Sequence, residues 1–251
     1  MKRVIVSGCY GRMGRELQSI IYDDPEFEIV AGFDAESGTY GQCPVFMGES
    51  LKDAPDADVV IDFSNHAFVP LVLRFCAERK MPVVVATTAL DEDVIGLMKE
   101  VSKTIPVFHS ANMSLGVNIA AKMAGVAAPA LEEGFDIEIV EAHHNQKKDA
   151  PSGTAILLAD AINDSLKESK EYTYGRSGRD NARELNEIGI HAVRGGTLPG
   201  KHTIIFAGPD EVIEITHTAY SRRVFASGAI KAAAWICSRE SGLYNMNDLL
   251  A

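Results

Sequence analysis

Apolar and polar positions alternate in two different ways along the chain. Up to about residue 113, short apolar runs are followed by stretches with helical spacing. Residues 4–6, 28–33, 58–63, 82–86 and 106–109 are rich in Val, Ile and Phe, as fully buried parallel strands read. Residues 15–22, 65–79 and 91–102 carry apolar side chains at helical intervals, such as Phe68, Leu71, Val72, Phe75 and Cys76. Asp91 stands where the third of these helices needs an N-cap. Strand and helix in alternation, with short links, predict a parallel sheet covered on both faces. Beyond residue 113 the pattern changes. Residues 116–131 are alanine-rich and helical, and 155–166 form a further helix. Residues 135–140, 188–193, 202–207 and 211–217 alternate or are β-branched, with turn sequences at 194–200 and 208–210. These predict an open mixed sheet. Residues 168–184 are polar, with Gly175 and Gly178, and read as an exposed, mobile loop. A strongly apolar helix at 225–237 is expected to be buried against the first domain.

Composition narrows the class of function. A net charge of −11 argues against nucleic acid or an anionic membrane surface as partner, since both favour a basic face. It leaves room for a local basic pocket. The four cysteines, Cys9, Cys43, Cys76 and Cys237, have no ligand spacing and read as buried apolar residues of a reducing compartment. The apolar run after Lys2 and Arg3 is too short for a signal peptide, and no run approaches a membrane span. A cytoplasmic location is expected.

The first strand runs into Gly8-Cys9-Tyr10-Gly11-Arg12-Met13-Gly14 and then a helix. Strand, glycine turn and helix in this order suit a dinucleotide: glycines let the backbone approach a pyrophosphate, and the helix aims its N–H groups at it. The spacing is GxxGxxG, so the GxGxxG fingerprint is met only in part. Asp34 ends the second strand twenty residues past Gly14, where a carboxylate meets the adenosine ribose. Ala35 follows and no Arg stands nearby for a 2′-phosphate, which favours NADH over NADPH. Three further strand ends carry small polar groups that suit a flat cofactor ring: Ser64-Asn65, Thr87-Thr88, and Ser110-Ala111-Asn112-Met113. The expected fold is therefore α/β. A Rossmann-type parallel-sheet domain spans 1–113 and is completed by 223–251; a second, α+β domain with an open mixed sheet spans 114–222.

Residues 141–154 concentrate the remaining chemistry. Glu141-Ala142-His143-His144-Asn145-Gln146-Lys147-Lys148-Asp149-Ala150-Pro151-Ser152-Gly153-Thr154 holds two histidines, two lysines and a small-residue turn that opens a helix. His143 and His144 could form half a metal site with His109 and His217, but no cluster of zinc-ligand spacing is present and no metal is expected. Histidine titrates near neutral pH and handles protons. Lys147 adds positive charge, and Ser152, Gly153 and Thr154 offer N–H and hydroxyl groups to a carboxylate. Beside a nicotinamide domain, the reaction class is hydride transfer followed by protonation.

These motifs, with Asp62-Phe63-Ser64, residues 110–118 and residues 222–228, resemble the dihydrodipicolinate reductase family of the diaminopimelate and lysine pathway. The HHxxKxDAPSGT run is long and highly specific, and the match runs nearly end to end. The resemblance implies NADH- or NADPH-dependent reduction of a cyclic unsaturated dicarboxylate to tetrahydrodipicolinate. It implies His143 as acid/base and Lys147 as proton donor. His144, Gly153 and Thr154, with Ser152 and Thr88, would hold the substrate. Gly8, Gly11, Arg12, Met13, Gly14, Asp34, Ala86, Thr87, Thr88, Ser110, Ala111, Asn112, Met113, Arg222 and Phe225 would meet the cofactor. A homotetramer built through the second domain's sheet is also implied. Three departures stand out: Ala86 and Ala89 where the family often has Gly, and Asn65 and Ala35 where some members carry Arg. Two alternatives remain open, a dehydrogenase of another small dicarboxylate and a non-catalytic nicotinamide sensor.

Overall fold

The β-branched runs near the N-terminus become strands because both of their faces are covered. Val4, Ile5 and Val6 are fully buried, as are Val59, Val60 and Ile61 beside them. The computed structural model describes residues 1–251 and divides into two compact units, Met1–Leu115 with Arg222–Ala251, and Gly116–Ser221.

The first unit opens with β1 (Lys2–Ser7), α1 (Arg12–Tyr22), β2 (Phe27–Phe33), β3 (Gly38–Tyr40) and β4 (Cys43–Phe46). A 3₁₀ turn, Gly48–Asp53, leads to β5 (Val59–Asp62), α2 (Val69–Arg79), β6 (Val83–Val85), α3 (Glu92–Val101) and β7 (Pro106–His109). The second unit holds α4 (Leu115–Leu131), which begins at its boundary, then β8 (Asp136–His143), α5 (Gly153–Asn163), β9 (Glu171–Tyr174), β10 (Glu187–Arg194), β11 (Lys201–Ala207) and β12 (Val212–Thr218). The chain then returns to the first unit with α6 (Arg223–Ile236), β13 (Gly242–Tyr244) and α7 (Met246–Leu249).

The first sheet has the order β13-β7-β6-β5-β1-β2-β4-β3 and is parallel except for β3 against β4. Helices α1 and α6 cover one face, around Leu17, Ala229 and Ala233, and α2 and α3 cover the other, around Leu73, Cys76 and Met98. The chain leaves β1 toward β2 on one side and later returns to β5 on the other. The carboxyl ends of β1, β2 and β5 therefore frame a topological switch point, where doubly wound sheets bind ligands. The second sheet has the order β12-β11-β8-β10-β9, with β8, β10 and β9 parallel and β11 antiparallel to both its neighbours. Helices α4 and α5 cover one face through Ala124, Ala128, Leu158 and Ile162, packed on Ile137, Ile139, Ile190 and Phe206. No helix is long and apolar enough to cross a membrane.

Several boundaries differ from the sequence reading, for local reasons. Helix α2 starts at Val69, not at 65, because Pro70 is tolerated only in a first turn, and residues 65–68 form a turn closed by Phe68 N–H to Asn65 O. Strand β8 continues past residue 140 through His143, because β10 and β11 pair with it to that point or beside it. Residues 168–184 are not simply a loop: β9 lies among them and pairs in parallel with β10. Arg176 is ion-paired with Glu138 and Glu187, and Arg183 Nε lies 3.1 Å from Glu138.

Candidate active site

The crevice at the switch point is lined by Gly8 and Gly11 after β1, Asp34 and Ala35 after β2, Phe63, Ser64 and Asn65 after β5, and Phe68. Its glycines have separate reasons. Gly8 has φ +74, and a Cβ there would stand 2.5 Å from the Phe63 carbonyl oxygen. A Cβ on Gly14 would run into the backbone oxygens of Gly8 and Cys9. Both are required by the packing of the loop on itself. Gly11 is the exposed N-cap of α1, and no side chain caps that helix or places a carboxylate in its first turn. The N–H groups of Arg12, Met13 and Gly14 thus start a helix without a local acceptor, which is what a pyrophosphate needs. Asp34 accepts the Tyr10 N–H on Oδ2 and the Ala35 N–H on Oδ1, both at 2.8 Å, so the carboxylate is aimed before any ribose arrives. A dinucleotide fits these residues.

Around this crevice, Asp62 gathers three strand ends. It is fully buried and accepts Ser7 Oγ and Ser64 Oγ on Oδ1 and Thr87 Oγ1 on Oδ2, each at 2.6 Å. The Thr87 hydroxyl is therefore turned inward to Asp62, while Thr88 is exposed. Ala86 is buried. Ala89 adopts φ 55, a left-handed conformation costing a non-glycine residue about 1 kcal/mol, so its departure from Gly has a backbone consequence. Ser110 Oγ bonds the Asn112 carbonyl and Asn112 Oδ1 accepts the Ser114 N–H, which shapes the 110–114 turn. Met113 is buried under α6, where Gly228 is obligatory because a Cβ would strike the Met113 oxygen. Arg222 is the exposed N-cap residue of α6, and Phe225 packs into the core beneath it.

In the second unit, His143 ends β8 and is nearly buried. Its Nδ1 lies 2.6 Å from Glu141 Oε2. His144 has a buried Nδ1 without a partner, an orphan that a ligand oxygen would satisfy. Lys147 Nζ pairs with Asp149 at 2.9 Å, which holds the Asp149 carboxyl below its usual range. Ser152 is buried: its N–H donates to Glu141 Oε1 at 3.0 Å, and its Oγ caps Ala155 N–H and meets His202 Nε2 at 2.8 Å. Ser152 thus shapes the turn, and Gly153 is its exposed residue, with open space where a Cβ would stand. His109 lies in the first unit with its Nδ1 on the Val85 oxygen, and no group of three potential ligands able to hold a metal is present.

Two family models match, "Dihydrodipicolinate reductase, N-terminus" over residues 2–113 and "Dihydrodipicolinate reductase, C-terminus" over residues 116–250. The chain belongs to the dihydrodipicolinate reductase family. Among its relatives, the 4-hydroxy-tetrahydrodipicolinate reductase of Caldanaerobacter subterraneus subsp. tengcongensis is 53% identical, covering 100% of this chain and 98% of that one. That of Clostridium tetani is 47% identical over 100% of this chain and 97% of its own. A dipicolinate-bound dihydrodipicolinate reductase from Paenisporosarcina sp. TG-14 superposes with a TM-score of 0.81 at 26% identity, over 98% of this chain and 99% of that one.

In this member of the dihydrodipicolinate reductase family, three residues outside the sequence motifs complete the His143 surroundings. Arg194 at the end of β10 clamps Glu141 through both oxygens, at 2.7 and 2.6 Å. His202 on β11 stacks edge-on to His143 with centroids 5.1 Å apart, and burial, then the neighbouring His143, lowers its pKa to about 4. Gly200, at φ +150, lies beside His143 Nε2, and a Cβ there would come within 3.2 Å of that nitrogen. The only sequence signals for these were the turn-like run Arg194-Gly195-Gly196-Thr197-Leu198-Pro199-Gly200 and, for His202, the strand pattern at 202–207.

Proposed function

We infer that this chain carries the activity for which its relatives are named, the NAD(P)H-dependent reduction of 4-hydroxy-tetrahydrodipicolinate in diaminopimelate and lysine synthesis. The observation that supports it most is a histidine with one ring nitrogen tied to a buried carboxylate, next to a second histidine with an orphaned buried nitrogen and a capped, open helix start. The reduced nicotinamide supplies the hydride when bound. In the net reaction to tetrahydrodipicolinate the 4-hydroxyl leaves as water and one proton is consumed with the hydride, and moving these protons is the protein's part. His143 is the acid/base group, with Nε2 as its working atom. Lys147 is the proton donor, and its ammonium is held ready by Asp149. His144, Gly153 and Thr154 hold a substrate carboxylate at the start of α5, where N–H groups and helix dipole favour an anion. Thr88 is the exposed hydroxyl at the nicotinamide end.

For the cofactor, residues 8–14 hold the pyrophosphate and Asp34 the adenosine ribose. Ala86, Thr87 and Thr88, with Ser110, Ala111, Asn112 and Met113, border the nicotinamide, and Arg222 and Phe225 complete the contacts. Apart from Arg12 in the glycine loop no cationic side chain is assigned to the crevice, and Ala35 and Asn65 stand where a 2′-phosphate would seek one, which supports NADH as the preferred reductant. The face of the second sheet opposite α4 and α5 exposes Val193 and Val212, which supports a homotetramer assembled through it. All four cysteines are free thiols, which suits a reducing cytoplasm.

The test is a coupled assay that generates the unstable substrate enzymatically and follows nicotinamide absorbance with NADH and NADPH in parallel. His143→Gln and Lys147→Ala are expected to lower kcat by about 10²- to 10⁴-fold with the thermal unfolding midpoint little changed. Near-normal turnover in either variant overturns its role. Consumption of nicotinamide with another dicarboxylate but not with this one overturns the substrate.

A further inference from the structure

The proposed chemistry leaves one buried carboxylate in its midst without a part. Glu141 lies on β8 two residues before His143 and is fully buried. Its two oxygens are divided. Oε2 faces His143 Nδ1 at 2.6 Å, and Oε1 accepts the Ser152 N–H at 3.0 Å. Arg194 stands opposite His143 in the β8–β10 register and reaches across to both oxygens. Its Nη2 also donates to the Asp149 carbonyl at 2.7 Å, so the same guanidinium pins the segment that carries Lys147.

The protonation pattern follows from this arrangement. Burial alone would push the Glu141 carboxyl up, but the Arg194 hydrogen bonds and then His143 bring it below the ordinary carboxylate range. An ionised carboxylate only accepts, so the hydrogen between the two residues sits on Nδ1. Neutral His143 is then the Nδ1–H tautomer, and Nε2, beside Gly200, is left as the proton-accepting atom.

We propose that Glu141, clamped by Arg194, is a positioning residue that locks His143 to the Ser152–Gly153–Thr154 turn. One rigid carboxylate sets both the tautomer of the proton-handling ring and its place relative to the carboxylate-holding turn. Neither His143 nor the turn can shift without breaking its bond to Glu141. Arg194 makes this possible, because a buried charge without a counter-ion is strongly unfavourable. The proposal rests on the reading of His143 as the acid/base group.

Glu141→Gln keeps the shape and removes the obligatory acceptor. Its amide can offer one carbonyl oxygen, and it turns an NH₂ toward either Arg194 or Nδ1. Two readouts apply. Nitrogen-15 NMR of histidine-labelled protein without substrate reports the tautomer of the neutral ring; the His143 signals are assigned by their absence in His143→Gln. Wild type is expected as Nδ1–H, and the Gln variant is expected to shift toward Nε2–H. In the coupled assay its kcat is expected to fall by about 100-fold, within the range lost when a general base loses its orienting carboxylate, while the cofactor KM stays within about twofold. A wild-type ring protonated on Nε2, or a folded Gln variant with kcat within about threefold of wild type, overturns the proposal. Should the Gln variant not fold, Arg194→Lys decides. It keeps the charge but cannot clamp both oxygens, and is expected to lose about tenfold in kcat; turnover within about threefold overturns the proposal. Because the tautomer is read without turnover, an inactive wild type would count against the reductase reading alone.

Discussion

Replacing Asp62 with Asn should leave the first unit as stable at neutral pH as wild type, or more so. The carboxylate is fully buried, and its partners are three hydroxyls, those of Ser7, Ser64 and Thr87. Burial raises its pKa, and the three hydroxyls offset this only in part. The folded pKa therefore lies above the unfolded one. Between the two values the native state holds more protons, so this group's contribution to stability falls as pH rises through that window. Hydrogen bonds to a charged acceptor contribute about 1.5–3 kcal/mol each, and neutral ones about 0.5–1.5. Three weakened bonds thus cost about 3 kcal/mol, against relief of a desolvation penalty of several kcal/mol. The raised pKa says that the penalty is the larger, so the exchange is neutral or favourable near pH 7. A hydroxyl can rotate to accept from the new amide. Asp62→Ala is different: it leaves three hydroxyls facing a cavity and should cost about 3 kcal/mol or more. The assay is urea unfolding followed by the fluorescence of Trp235, the single tryptophan, which packs on Phe108 and Tyr244 in the first unit. The Asn variant should gain on wild type as pH rises above the ordinary aspartate range. An Asn variant as unstable as the Ala variant, or an advantage that shrinks as pH rises, refutes the reasoning.

Two further substitutions probe the glycine loop of the first unit and the start of α5 in the second. Gly8→Ala forces a side chain into φ +74 and against the Phe63 carbonyl, so it should lower stability by about 2 kcal/mol or more and abolish the fluorescence change on NADH binding. Ser152→Ala removes the α5 cap and the His202 partner; a loss of about 1–2 kcal/mol in thermal or urea unfolding is expected, with substrate KM raised more than cofactor KM.

Most of the first unit was legible because its central strands and main helices carried their own signals. Val4, Val59, Val83 and their neighbours announce buried strands, and the glycine turn with Asp34 places the crevice. What escaped lacked such a signal. Strands β3, β9 and β13 have three or four residues each, too short for a period to show. Pairing, not composition, decides that Glu141 belongs to a strand and not to a loop. Arg194 is 53 residues from Glu141 and His202 is 50 from Ser152, so local spacing could not bring them to the site. The sequence placed Lys147 beside His143 for chemistry; the structure gives the first of them Asp149 and the second Glu141. The direction of the Thr87 hydroxyl, into Asp62, depends on a neighbour 25 residues away.

Asp62 and Glu141 make a controlled comparison within one molecule. Both are fully buried, and each binds partners from several parts of its unit. Their environments differ in one respect. Asp62 is met by hydroxyls, which can reverse their hydrogen bonds, and its pKa is raised. Glu141 is met by a guanidinium, a backbone N–H and an imidazole, and its pKa is lowered. Arginine and backbone N–H groups can only donate, so this site has no use for a neutral amide. The same exchange of carboxylate for amide should therefore be tolerated at Asp62 and costly at Glu141. Equal responses at the two positions would mean that burial alone governs both, and that the charge on Glu141 does nothing for His143.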